Sequence, residues 1–153
     1  ELKNRIIFPA MGTKFAGNSR MVNDQLIQYH VERVKGGTGL SMVEVTSVHA
    51  KSAPRRYLAI CDDKYIPGFR KLTDAIHEAG GKAGIQLWQG SLAVGSDKTA
   101  QILVASDMPV SAEVILPGIT IEEIKEVVAS YGAAAKRAYE AGFDCIEIHA
   151  GHN

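Results

Sequence analysis

The sequence has few cysteines, no excess of charge of either sign and no long apolar run. Cys61 and Cys145 are its two cysteines, and they lack the CxxC spacing of a thiolate metal site and are too few for a disulfide framework. The 17 basic and 17 acidic residues balance and form no basic block, which argues against nucleic acid or an acidic membrane as a partner. These absences predict a protein of a reducing, cytoplasmic compartment.

The apolar residues are enough for one core but are not arranged to cross a membrane. No stretch reaches the roughly 18 to 20 consecutive apolar residues of a membrane span, and the N-terminus lacks a signal pattern. At 153 residues and 46% hydrophobic, the chain is long enough for one modest core and too short for two comfortable domains. We therefore treat residues 1–153 as one unit.

Four short apolar runs alternate with three segments of helical period. The runs lack strict alternation, which is typical of strands covered on both faces; they are residues 5–11, 39–45, 82–88 and 144–150. The first helix is expected after an N-cap at Asn23 or Asp24, the second has Pro67 in its first turn, and the third begins with a capping box from Thr120 to Glu123. Each helix ends in glycine just before a strand, so the pattern predicts parallel strands in an α/β fold.

Two architectures fit this pattern, a doubly wound open sheet and a (β/α)₈ barrel. The phosphate-binding patterns GxGxxG and GxxxxGK[ST] are both absent, which favours the barrel. In a parallel barrel the carboxyl ends of all strands face one rim, where functional side chains collect. The rim residues expected here are Ala10, Met11, Gly12, Glu44, Val45, Thr46, Gln86, His149 and His152.

The polar residues of this rim each allow more than one role. Glu44 could bind a ligand or pair with an arginine, and the amide of Gln86 could face a ligand or belong to a structural network. His149 and His152 could both reach zinc, although no third ligand is visible in the sequence. Donation of two N–H groups to a substrate oxygen that gains negative charge is the better use of this pair.

Four motifs in order carry a family resemblance. Together they resemble the N-terminal half of the Old Yellow Enzyme family of flavin oxidoreductases, in particular its 2-enoate and 2,4-dienoyl-CoA reductase branch; the motifs are LKNRIIFPAMGT, GGTGLSMVEVTSV, DDKYIPGFRKLTDAIHEAGGKAGIQLW and AAAKRAYEAGFDCIEIHAGHN. The resemblance covers nearly the whole chain outside the loop between Gln89 and Gly118. It implies that residues 1–153 are the N-terminal half of a (β/α)₈ (TIM) barrel domain that binds FMN.

The resemblance also implies a cofactor, a reductant and a substrate class. FMN would contact Ala10, Met11, Gly12, Val45 and Gln86, and NAD(P)H would supply hydride to it. His149 and His152 match the family's HxxH or HxxN pair, which binds the carbonyl oxygen of an α,β-unsaturated carbonyl or enoyl thioester. Gly12 stands where many members carry Thr or Cys, and Gln89 and Asn153 also depart from the usual residues.

Several parts of such an enzyme would lie outside these residues. The resemblance places the proton-donating Tyr, a flavin-supporting Arg and the phosphate-binding loops beyond Asn153, so we expect this span alone to bind FMN weakly or not at all and to be inactive. Larger members add a 4Fe-4S cluster and FAD, and a homo-oligomer is left open. The alternatives are a flavin-free metal-dependent lyase or hydrolase using His149, His152 and Glu44, and a non-catalytic chain.

Overall fold

The computed structural model describes residues 1–90 and 100–151 as a parallel sheet with helices packed against it. The strands are β1 (Ile7–Phe8), β2 (Leu40–Ser47), β3 (Leu58–Ala59), β4 (Lys82–Trp88), β5 (Met108–Pro109), β6 (Ile115–Leu116) and β7 (Cys145–Ile148). The helices are α1 (Asp24–Lys35), α2 (Ile66–Glu78) and α3 (Ile121–Glu140), with short 3₁₀ turns at Ala50–Ser52 and Asp63–Tyr65. The predicted alternation of strands and helices is confirmed.

The sheet follows the chain order of the predicted strands. Its order is β1, β2, β4 and β7, and every pairing among these strands is parallel. β4 pairs with one edge of β2. On the other edge of β2, β1 pairs with its first residues and β3 pairs with its last residues. Because the strands are parallel, their carboxyl ends reach the same side of the sheet, as the sequence predicted.

Local sequence signals set the helix boundaries. The Asn23 side chain accepts a hydrogen bond from the Leu26 N–H at 3.0 Å, so Asn23 is the N-cap of α1. Thr120 and Glu123 form the predicted capping box of α3. α2 has Pro67 in its first turn, where a missing N–H leaves no hydrogen bond unmade. The N-terminal boundaries of the three helices therefore depend on residues that lie within a few positions of each other.

The structure also corrects the strand boundaries. The first strand is Ile7–Phe8 rather than residues 5–11, and the last is Cys145–Ile148 rather than 144–150. Pro9 follows β1 directly and has no N–H to continue a ladder. β3 and the antiparallel β5–β6 hairpin were not predicted, because strands of two residues carry no periodic signal.

The core lies between the sheet and the inner faces of the helices. α1 and α2 bury their apolar stripes against the central strands, and α3 buries small alanines; the helix residues involved are Leu26, Val34, Phe69, Leu72, Ile76, Ala134 and Ala138. The ring of Phe69 meets that of Phe143 at 5.7 Å in an edge contact. Burying each large side chain contributes about 1.5 to 3 kcal/mol before entropy is counted.

Apolar side chains remain exposed at one edge of the sheet. Ile146 and Ile148 of β7 are exposed, as are Val128 and Tyr139 on the outer face of α3. Within the described residues, β7 pairs only with β4. None of the helices in this part of the chain combines the length and the apolar character needed to cross a membrane.

Candidate active site

A cavity of about 360 Å³ opens at the carboxyl ends of the parallel strands. Ala10 and Gly12 follow β1, Val45 belongs to β2, and Gln86 belongs to β4. The full lining is Ala10, Gly12, Val45, Tyr57, Gln86, Trp88 and His149. The structure therefore brings five predicted site residues, from four strands, around one space of the size typical of a ligand site.

One wall of the cavity consists of small side chains. Ala10, Gly12 and Val45 present little more than backbone and methyl groups. A Cβ atom at Gly12 would meet only the ring of Tyr57, at 3.8 Å, which is ordinary van der Waals contact. The glycine at this position therefore leaves space that a larger side chain would occupy.

Gln86 supplies an amide to the floor of the cavity. Its side chain is 8% exposed, and its Nε2 donates a hydrogen bond to Glu147 Oε1 at 3.1 Å. Gln86 and Glu147 are register partners on β4 and β7, which places their side chains on the same face of the sheet. The amide thus has a side-chain hydrogen-bond partner in the structure, and its contact with a ligand stays a prediction.

His149 follows β7, which lies at the other edge of the strand order from β1, and reaches the cavity from that edge. Its backbone N–H donates to the Leu87 carbonyl at 2.9 Å, which extends the β4–β7 ladder by one residue. The side chain is half-buried and lines the cavity. Its predicted role as a donor to a substrate oxygen stays a prediction. His152 lies outside the described residues, so its part in the histidine pair stays a prediction.

Met11 is placed differently from its neighbours. It is 52% exposed and is not among the residues that line the cavity. Ala10 and Gly12 on either side of it do line the cavity. The predicted contact of Met11 with a cofactor therefore stays a prediction.

Two aromatic residues of the cavity were missed in the sequence. The rings of Tyr57 and Trp88 meet edge to face, with centroids 5.3 Å apart and planes at 66°. Trp88 is 4% exposed and lies two residues after Gln86 on β4, so the period of a strand could have placed it on the same face. Tyr57 follows a loop and carries no such signal.

Glu44 is buried next to the cavity and has an unexpected partner. Its Oε2 accepts hydrogen bonds from the backbone N–H and the Oγ1 hydroxyl of Thr13, both at 2.5 Å. Its Oε1 is buried and has no hydrogen-bond partner among the described residues. Burial raises the pKa of this carboxyl above its ordinary value, although the bonds to Thr13 and Lys14 act against it. The arginine partner considered for Glu44 is replaced by Thr13.

The described residues do not support a metal centre. Across residues 1–90 and 100–151, no group of three or more His, Cys, Asp or Glu side chains is placed to hold a metal ion. Glu44 is held by Thr13 and does not line the cavity. His152, which was considered as a zinc ligand together with His149, lies outside the described residues.

Comparison with known proteins decides the family. The sequence pattern of the NADH:flavin oxidoreductase / NADH oxidase family matches residues 1–153. The chain belongs to this family. The flavin oxidoreductase family expected from the four motifs is thereby confirmed.

Individual relatives of the flavin oxidoreductase family agree with this assignment. The chain is 39% identical over 155 residues to an NADPH dehydrogenase of Listeria monocytogenes serotype 4a (strain HCC23), covering 99% of this chain and 45% of the relative. It is 33% identical over 156 residues to a 4,4'-dithiodibutanoate disulfide reductase of Rhodococcus erythropolis, covering 99% and 38%. The chain therefore spans less than half the length of these curated relatives.

A solved structure shows the fold. The Old Yellow Enzyme from Pichia sp. AKU4542 superposes with a TM-score of 0.85 at 23% identity, over 99% of this chain and 43% of that one. The chain thus forms part of a (β/α)₈ barrel, which confirms the predicted fold class.

Proposed function

We propose that the protein is an FMN-dependent oxidoreductase that passes hydride from NAD(P)H through the flavin to the C=C bond of an α,β-unsaturated carbonyl or enoyl substrate. The observation that carries the proposal is the cavity at the strand ends, which gathers Ala10, Gly12, Val45, Gln86 and His149. Membership of a flavin oxidoreductase family supports it. A small-molecule substrate and a cytoplasmic location are part of the same proposal.

The residues present fit a flavin ring. The small side chains of Ala10, Gly12 and Val45 allow a flat ring to approach the backbone. The amide of Gln86 offers both a donor and an acceptor type of group to the polar edge of such a ring. Bound FMN supplies the two-electron redox chemistry, and the protein residues bind and orient it. Contact with Met11 remains part of the proposal.

His149 is the proposed catalytic residue. His149 lines the same cavity as the small side chains of Ala10, Gly12 and Val45, so an N–H group of its imidazole can donate to the carbonyl oxygen of a substrate bound there. That oxygen gains negative charge as hydride arrives at the β-carbon, and one such donor stabilises the charge by about 2 to 4 kcal/mol. His152 is proposed as the second donor.

The domain assignment belongs to the same proposal. Residues 1–153 are proposed to be the FMN-binding part of a barrel that further strands complete. The exposure of Ile146 at 41% and Ile148 at 66% supports this, because barrel strands of this kind are covered on both faces. A 4Fe-4S cluster and FAD outside this chain remain an expectation from the resemblance.

The test uses the whole enzyme with the completed barrel, of which residues 1–153 are proposed to be a part, and measures its two half-reactions separately. Visible absorbance first reports bound FMN, and stopped-flow absorbance then follows flavin reduction by NAD(P)H and flavin reoxidation by an enone. His149→Ala is expected to slow reoxidation by about 10²-fold or more while reduction stays near the wild-type rate. His77→Ala, which removes an imidazole remote from the cavity lining, is the matched control.

Two results would contradict the proposal. A protein without flavin absorbance after reconstitution with FMN would exclude the cofactor. A His149→Ala variant that slows both half-reactions equally would exclude the assigned role of the imidazole, since substrate oxygen is present in one of them only.

A further inference from the structure

The wall that carries Ala10 and Gly12 is not held by the sheet. β1 pairs β2 through Ile7 and Phe8, and the ladder between them ends there. Pro9 has no N–H to continue it. Since Ala10 and Gly12 nevertheless line the cavity, another contact must set the position of this segment.

The Glu44 carboxyl makes that contact. It lies 31 residues from Thr13 in sequence and accepts both the backbone N–H and the hydroxyl of Thr13 at 2.5 Å. Glu44 is 1% exposed, so water does not compete for these bonds. The register between β2 and β4 shifts between Val43 and Thr46, so Glu44 lies where the regular ladder of β2 is interrupted.

The residues adjacent to this contact both face the cavity. Gly12 precedes Thr13 in the chain, and Val45 follows Glu44. Both line the cavity, and the ladder between β1 and β2 has already ended at Phe8 and Ser41, before the chain reaches Gly12 and Val45. The bonds between Glu44 and Thr13 therefore join two parts of the same wall.

We propose that Glu44 is a positioning residue that, through Thr13, holds the segment from Ala10 to Gly12 against Val45 and thereby sets the cavity wall for its ligand. The identity of that ligand as FMN rests on the proposed function. Burial raises the pKa of the Glu44 carboxyl above its ordinary value, and the hydrogen bonds from Thr13 act against this shift. Glutamine is the conservative replacement at this position, because it keeps an acceptor oxygen on a side chain of the same length.

The test compares paired variants in the intact protein. Glu44→Gln keeps an acceptor oxygen and Thr13→Ser keeps the hydroxyl donor. Glu44→Ala removes the acceptor, whereas Thr13→Val removes the hydroxyl and leaves the backbone N–H of residue 13 in place. Hydrogen exchange of the flavin-free protein reports the segment at residues 9–14, and fluorescence quenching reports the Kd for FMN. Peptides from β4 and α2 show whether any change is local.

The conservative variants should behave like the wild type. We expect Glu44→Ala to raise exchange in residues 9–14 and to weaken FMN binding, each by about tenfold, the equivalent of about 1.4 kcal/mol. Exchange in β4 and α2 should stay unchanged. Thr13→Val should show a smaller change in the same direction, and it carries the test if Glu44→Ala does not fold.

Three results would overturn the inference. They are unchanged exchange and affinity in Thr13→Val and Glu44→Ala, an increase in exchange spread evenly over β4 and α2, and a Glu44→Gln variant as impaired as Glu44→Ala. A wild-type protein that binds no FMN would instead refute the proposed function, and the exchange measurements would still decide the role of Glu44.

Discussion

The buried histidine of α1 allows a quantitative prediction about stability and pH. His30 is 1% exposed, and its Nδ1 lies 2.8 Å from the Ser41 Oγ of β2. Its Nε2 is buried without a hydrogen-bond partner among the described residues. Burial, and to a smaller extent the positive charge of Arg33, lowers the pKa of His30 from 6.5 to about 4. The folded protein therefore holds this imidazole neutral at pH 7.

The size and sign of the effect follow from this shift. A fall in pKa from 6.5 to about 4 corresponds to about 3 kcal/mol. Below pH 6.5 the His30 imidazole is protonated in the unfolded chain but stays neutral in the folded protein down to about pH 4. The free energy of unfolding therefore falls as the pH falls through this window. At pH values well above 6.5, where the imidazole is neutral in both the folded and the unfolded state, His30 contributes no pH dependence.

Urea unfolding of the wild type and of His30→Gln tests this reasoning. Glutamine does not titrate, and its amide retains polar groups for Ser41. We expect the variant to be less stable than the wild type near neutral pH because the packing changes. The difference in free energy of unfolding between the two proteins, called the gap below, should shrink by about 1 to 2 kcal/mol between about pH 7 and about pH 5. The interval above about pH 7 is the internal control, because there the gap should not change with pH. A gap that is equal at both ends of the range would refute a buried neutral His30.

Two further predictions concern the cavity and the edge of the sheet. Gln86→Ala is expected to weaken FMN binding or shift the flavin potential, because it removes the amide that lines the cavity; unchanged affinity and spectrum in an FMN titration would remove Gln86 from the site. At Asp144, burial acts to raise the pKa, but hydrogen bonds from Lys82, the Ala83 N–H and His77 outweigh it and lower the pKa from 3.8 to about 2. The stabilising contribution of the Asp144 carboxylate is therefore complete above pH 3.8 and is lost as the pH falls through about 2. Asp144→Asn should be less stable than the wild type at neutral pH, and its free energy of unfolding should fall less steeply with acid. An acid unfolding curve parallel to that of the wild type would contradict the assignment.

Features that depend on neighbouring residues were predictable from the sequence. The cap at Asn23 and the capping box from Thr120 to Glu123 involve groups three residues apart, so the spacing of these residues in the sequence predicts them directly. Gln86 and His149 were predicted for a similar reason. Parallel strands that follow helices in order must end on one side, so a polar residue at a strand end reaches the common rim.

Features that depend on distant partners required the tertiary structure. Tyr57 reaches the cavity from a loop, and Glu44 bonds Thr13 rather than an arginine across 31 residues of sequence. The early end of β1 and the pairing of β3 with β2 follow from which backbone groups come together in space.

The sequence by itself determined the alternation of the four main parallel strands with three helices, the places where the helices begin and end, and the side of the sheet on which the rim residues lie. The tertiary structure alone decided how the wall between β1 and β2 is held and which aromatic rings close the cavity. The physical reason is that periodicity and capping act over a few residues, whereas a buried carboxyl takes whichever donor the folded chain brings within hydrogen-bond distance.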